Sequence, residues 1–242
     1  MQVRAASGAI RGTLVRVAAI AVLAGCGASS SSASGGTPSP SPTEVASPTA
    51  RLSLTGHGQS ARPLAGHWTV ATGSVAGYRV TENFLGSSSE AVARTSALTG
   101  QADISGDSVN GLQLIADLTQ CKGVDNHVSY AGFTRDNIVK GRILNMAQFP
   151  NATLVVNSLA LPSGASSGKP LKISAQGMFT LKGKTNPVTL ALNGQSEGDQ
   201  KLEVAGAFTI TLSDYDIHVP TVPFTSAGST GIVEVDVFLQ KA

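Results

Sequence analysis

The residues of this 242-residue chain best suited to chemistry are two cysteines, four histidines and one close pair of aspartates. Their spacing suits little of it. None of His57, His67, His127 and His218 stands at metal-ligand spacing from another His, Cys or carboxylate. His67 and His218 flank predicted strands and read as surface or capping side chains, while His57 falls in a linker. Asp214 and Asp216 could share a proton or a cation. Their setting reads first as a turn that hydrogen-bonds its own backbone. No Gly-x-Ser-x-Gly elbow, phosphate loop or dinucleotide fingerprint occurs, and Gly73–Gly77 reads as a turn. The chain is not expected to be an enzyme, and neither a catalytic residue, a metal site nor a cofactor is assigned.

The cysteines divide by position. Arg4, Arg11 and Arg16, with no acid among them, precede the apolar run Val17–Ala24, which is far shorter than the roughly 20 residues of a spanning helix. The run ends in Leu23-Ala24-Gly25-Cys26, which resembles a bacterial lipoprotein lipobox. That resemblance implies a signal peptide over residues 1–25 and a diacylglycerol on the Cys26 thiol. It places the protein at the cell membrane, lipid-anchored on the extracytoplasmic face. With Cys26 acylated, Cys121 has no partner in the chain for a disulfide, and it reads as a small buried hydrophobe.

Residues 27–50 hold eight Ser, four Pro, three Thr, three Gly and one charge, Glu44. Such a segment cannot build a core. Residues 26–62 are therefore expected to form a flexible tether, and the 24 residues 27–50 would hold a domain about 30 Å from the anchor. The formal charge of +2 includes the three leader arginines. Without them 14 basic side chains face 15 acidic ones, and no run of Lys or Arg makes a basic face. Nucleic acid is not an expected partner.

Residues 63–242 are long enough for one domain, and their hydrophobic period is two. Val233, Val235, Val237 and Leu239 share one face, with Glu234 and Asp236 on a wet opposite face. Phe208–Leu212, Val188–Leu192 and Met178–Lys182 alternate in the same way, and Gly183–Pro187 is a plausible hairpin turn. Further strands are expected at 67–71, 75–84, 90–105, 109–118 and 151–161. Ser129–Leu144 breaks the pattern and reads as one or two short helical turns. Eight or more antiparallel strands suggest a barrel or a sandwich.

The order of these elements resembles the YceI-like family. Gly66-His67-Trp68-Thr69-Val70 is similar to its Trp-containing first strand, and Ser74–Val80 to its Ser followed by alternating apolar residues. Phe149-Pro150, Gly177–Gly183 with Pro187–Leu190, and Leu212–Ile217 resemble later family motifs in the right order. Departures are Gly73, Leu212, Asp216 and Gly231, where the family more often has His, Arg, Gly and an acid. The resemblance implies an all-β fold: an antiparallel, lipocalin-like β-barrel of about eight strands that binds polyisoprenoids.

The residues agree with that implication. Inward positions are mainly aliphatic, and many are small. A barrel of this size is either filled by side chains or holds one elongated ligand. At about 0.8 kcal/mol per buried methylene, two or three isoprene units gain several kcal/mol without a polar contact. The expected lining is Tyr78, Val80, Leu154, Val156, Phe179, Leu181, Leu190, Phe208, Ile210, Val235 and Val237. The expected function is carriage or sequestration of an isoprenoid or similar amphiphile, which would be the hydrophobic partner. The alternatives are an envelope interaction or adhesion module with a filled core, and a hydrolase or isomerase with a polar cluster inside the barrel. Oligomeric state is not legible.

Overall fold

The computed structural model describes residues 50–60, 63–84, 86–125, 134–219 and 225–242. All of these belong to the compact unit Val45–Ala242. The strands are β1 (Gly66–Val70), β2 (Val75–Phe84), β3 (Ser87–Thr95), β4 (Leu98–Ser105), β5 (Ser108–Asp117) and β6 (Lys122–Gly123). A short helix, α1 (Arg135–Ile138), runs into a π turn at Val139–Ile143. There follow β7 (Asn151–Ala160), β8 (Leu171–Leu181), β9 (Lys184–Ser196), β10 (Lys201–Thr211), β11 (Thr225–Ala227) and β12 (Thr230–Lys241).

The antiparallel order β1-β4-β5-β7-β8-β9-β10-β12 closes on itself where Trp68 meets Lys241 and Val70 meets Leu239. This is the eight-stranded barrel that the alternation and the family resemblance imply; a sandwich is excluded. Closure leaves these strands no free edge. Opposite β10, the other edge of β12 serves two strands, pairing with β1 near its end and with β2 over Ile232–Asp236. β1 and β2 thus form one path with a corner at residues 71–74. Gly73 supplies the left-handed φ of 95° there. The buried Ser74 hydroxyl donates to Ala71 O (2.8 Å) and accepts from Phe238 N (3.0 Å), replacing ladder bonds lost at the corner.

The structure corrects two details of the sequence reading and finds a third as expected. The expected strand 90–105 is two strands, β3 and β4, because Thr95 turns the chain. Its Oγ1 accepts from Ala97 N and donates to Asp117 O. No Gly or Pro marks that corner. The hairpin turn expected at Gly183–Pro187 is the two-residue loop Lys182–Gly183, with φ of 50° and 74°, and Pro187 lies within β9. Of the helical turns expected at 129–144, those found are α1 and the π turn; residues 129–133 lie outside the described set.

A third difference lies on the outer wall. Residues 50–60, expected to belong to the tether, lie across β9, β10, β12 and β3. Thr55 N and Gly56 N donate to the two carboxylate oxygens of Glu203 (2.6 and 2.9 Å), Leu52 N to Glu234 and Gly58 N to Glu197. Gln59 N donates to Ser196 O, and Ala50 O accepts from Arg94. Beneath this strap Glu203, Glu234 and Asp236 are buried, so the face expected to be wet is covered. Glu234 is held between Arg79 (2.7 Å) and Arg94 (2.6 Å). The strap docks mainly through backbone N–H groups, of which side-chain periodicity carries no sign, with Arg51 to Glu90, the Thr55 hydroxyl to Glu203 and the Ser60 hydroxyl to Ser167 O adding side-chain bonds.

Candidate functional site

The two halves of the barrel interior differ. At the Trp68 end, the indole is fully buried, donates to Leu64 O (2.8 Å) and lies under Lys241 Nζ. A cavity of about 110 Å³ sits there among Leu64, Ile104, Leu112, Leu190, Leu202, Val237 and Leu239. Toward the other end lies a larger cavity of about 310 Å³, roughly ten waters' share of liquid volume. Leu114, Leu154 and Val235 wall both cavities. The interior is therefore not the completely filled core considered above.

Of the expected lining residues, Tyr78, Val80, Leu154, Phe179, Leu181, Phe208, Ile210 and Val235 wall the larger cavity. Leu190 and Val237 wall the smaller. Val156 is fully buried but borders neither, since it belongs to the packed core. Cys26 lies outside the described residues. Phe179 meets Phe208 edge-to-face at 5.0 Å and Tyr215 at 5.7 Å, which fixes one wall by ring packing.

The sequence reading missed the residues that make the space. Ala76, Ala91, Ala116 and Ala152 point inward where larger side chains would fill the barrel. Alternation places them on the inner face, and the abundance of small inward residues favours residual volume, but which of them border it shows only once the strands are arranged. Leu118, Ile138, Val139, Ile143 and Leu144, contributed by the β5–β7 connection, complete the wall.

The missed polar groups lie at the end remote from Trp68. The inward residues of β2 run Ala76, Tyr78, Val80, Glu82, so Glu82 ends the series. Arg135, from α1, reaches Glu82 Oε2 (3.4 Å) and Asp125 Oδ2 (2.7 Å), and its Nη2 donates to Asp125 Oδ1. Burial would lower the guanidinium pKa, but the hydrogen bond with Asp125 and the charge of Glu82 outweigh it and raise the value. Asp125 answers in kind. Burial raises its carboxyl, and the Arg135 hydrogen bond brings it below the ordinary range. Burial pushes the Tyr78 hydroxyl up, and Cys121 adds to this while Arg135 opposes it. Burial likewise raises the Cys121 thiol to about 11. Both therefore stay protonated at neutral pH.

Elsewhere the candidate chemistry resolves into structure. Asp216 takes a left-handed φ of 55° behind the turn Leu212–Tyr215, and His218 lies 3.6 Å from it on the surface. His67 Nδ1 meets Asp103 Oδ1 at 2.7 Å, also exposed. Among the described residues no three His, Cys, Asp or Glu side chains gather to hold a metal ion, and no helix is long and apolar enough to cross a membrane. His127 lies outside the described residues.

A closed eight-stranded antiparallel barrel with an apolar interior cavity is a lipocalin-like architecture. The YceI-like domain model matches residues 67–239, which is most of the chain. The chain belongs to the YceI-like family. A solved polyisoprenoid-binding domain from Saccharophagus degradans implicated in plant cell wall breakdown shares the fold. It has a TM-score of 0.54 at 16% identity, over 74% of this chain and 99% of that one. Burkholderia cenocepacia BcnA (14% identity, TM-score 0.49, 66% of this chain and 95% of that one) and Campylobacter jejuni YceI (14%, 0.44, 66% and 84%) also match. No curated protein sequence matches the chain significantly.

Proposed function

We propose that the barrel binds one isoprenoid or similar amphiphilic chain non-covalently in its larger cavity. The observation that carries this reading is the cavity of about 310 Å³, walled by aliphatic and aromatic side chains and kept free by inward alanines. Burying two or three isoprene units there supplies several kcal/mol from apolar area alone. Membership of a family that includes a polyisoprenoid-binding domain supports the same reading.

In this proposal residues 1–25 are a signal peptide, Cys26 carries the lipid anchor, and the Ser/Pro/Thr-rich segment tethers residues 63–242 at the extracytoplasmic face. The protein would carry or sequester its ligand near the membrane surface. The test is lipid extraction and mass spectrometry on residues 45–242 purified without detergent. A stoichiometric isoprenoid or acyl species is expected. A domain that is empty and also ignores added polyprenols would overturn the reading and turn attention to protein partners.

A further inference from the structure

The larger cavity is apolar except at one end, and the charges at that end are already committed. Arg135 is the only cation on the wall of that cavity among the described residues, with Glu82 the acid beside it. Its Nη1 serves Asp125 and Glu82, and its Nη2 serves Asp125. Two carboxylates thus offset one guanidinium. Asp136, on the same helix, adds a third acid and accepts from Gly123 N (2.9 Å). The Lys140 ammonium donates to Thr119 O and its charge reaches Cys121 on the cavity wall, so three carboxylates stand against two cations. The local balance is negative.

An incoming phosphate or diphosphate would meet this balance after losing water. It would have to take Arg135 from Asp125 while standing beside Glu82, and like charges brought together in a partly desolvated site are disfavoured. A hydroxyl has the opposite fit. It can donate to the Glu82 carboxylate, which lines the cavity on the inward face of β2, two positions after Val80.

Resting on the isoprenoid reading above, we infer that Glu82, held by Arg135 and Asp125, selects amphiphiles with an uncharged hydroxyl head and rejects their phosphate esters. Glu82 is a specificity determinant, and Arg135 positions it. The apolar wall sets affinity for the tail, and the polar end sets which head is admitted.

The test compares farnesol, farnesyl phosphate and farnesyl diphosphate, with the parent hydrocarbon farnesane as a tail-only probe, by displacement of a fluorescent lipid from residues 45–242. Farnesol is expected to bind about tenfold or more tighter than either ester. Glu82→Gln, which keeps the shape and removes the charge, should narrow that ratio severalfold while leaving farnesane unchanged. Equal or tighter binding of the esters by the native protein overturns the head selection and leaves the tail reading intact. An unchanged ratio in folded Glu82→Gln overturns the role of Glu82. Failure of all four probes to bind overturns both readings. Should Glu82→Gln not fold, the native comparison still decides the head selection.

Discussion

Glu203 on β10 and Asp236 on β12 are diagonal neighbours on the outer wall of the barrel, both buried under the strap, and they are treated unequally. Glu203 receives the Thr55 N–H, the Thr55 hydroxyl, the Gly56 N–H and the Gln195 amide. Asp236 Oδ1 has no hydrogen-bond partner among the described residues. Burial raises the Asp236 carboxyl to about 7, and the charge of Glu203 pushes the same way.

The inequality sets a pH dependence. An acid whose pKa rises on folding is bound to its proton more tightly in the folded state. Its ionisation therefore costs stability as pH climbs from the ordinary carboxylate range, near 4, through about 7. The barrel should be more stable at pH 5 than at pH 8 on account of this group, by on the order of 2–4 kcal/mol. Asp236→Asn should hold the pH 5 stability and flatten the slope between pH 5 and 8. Thermal melts of both proteins across that range check it. A wild-type slope that survives in Asp236→Asn assigns the effect elsewhere.

The ion cluster beside it makes a different prediction. Glu234 lies between Arg79 and Arg94 with almost no solvent access. Removing the acid alone leaves guanidinium charge buried without its counter-charge. Glu234→Ala should cost about 3–5 kcal/mol, read from urea denaturation midpoints. A loss below 1 kcal/mol would mean that water replaces the carboxylate at once.

How far the sequence foretold this molecule depends on which face of a strand is considered. Val235, Val237, Phe208 and Ile210 alternate cleanly, and period two sufficed to put them inside. Alternation says nothing about which inward residues touch and which leave a gap. Val156 therefore looked like a wall residue and proved to be packed core, while Ala91 and Ala152 were not singled out and border the space. The outward face was misjudged at Glu234 and Asp236, because the strap that carries Leu52 and Leu54 docks on this wall largely through its backbone N–H groups. Glu82, Asp125 and Arg135 are 43 and 10 residues apart along the chain, and only the barrel's curvature brings them together.

That difference between wall and core can be measured. Ala152→Phe places a ring in the larger cavity, where there is room for it. It should change stability by less than about 1.5 kcal/mol and abolish polyprenol uptake. Val156→Ala removes methyls from fully packed surroundings. It should cost roughly 2 kcal/mol and leave uptake intact. Parallel thermal melts and fluorescent-lipid titrations give both readouts. Reversed results would exchange the roles of the two positions.

Cys121 gives an internal probe of the same cavity. Its thiol lines the wall beside Tyr78, and burial, reinforced by the Asp136 charge, raises it to about 11. At pH 8 the thiolate fraction is then on the order of one in a thousand, against about a quarter for an ordinary cysteine. Alkylation by iodoacetamide in residues 45–242 should be slow at pH 8, quicken as pH approaches 11, and become rapid in denaturing urea. Because the sulfur borders the cavity, a bound polyprenol should slow the native reaction further and leave the reaction in urea unchanged. Mass spectrometry of the timed reaction reads all of these rates. Rapid native alkylation at pH 8 would place the thiol in solvent. Protection by ligand that persists in urea would show that the lipid consumes the reagent rather than filling the barrel.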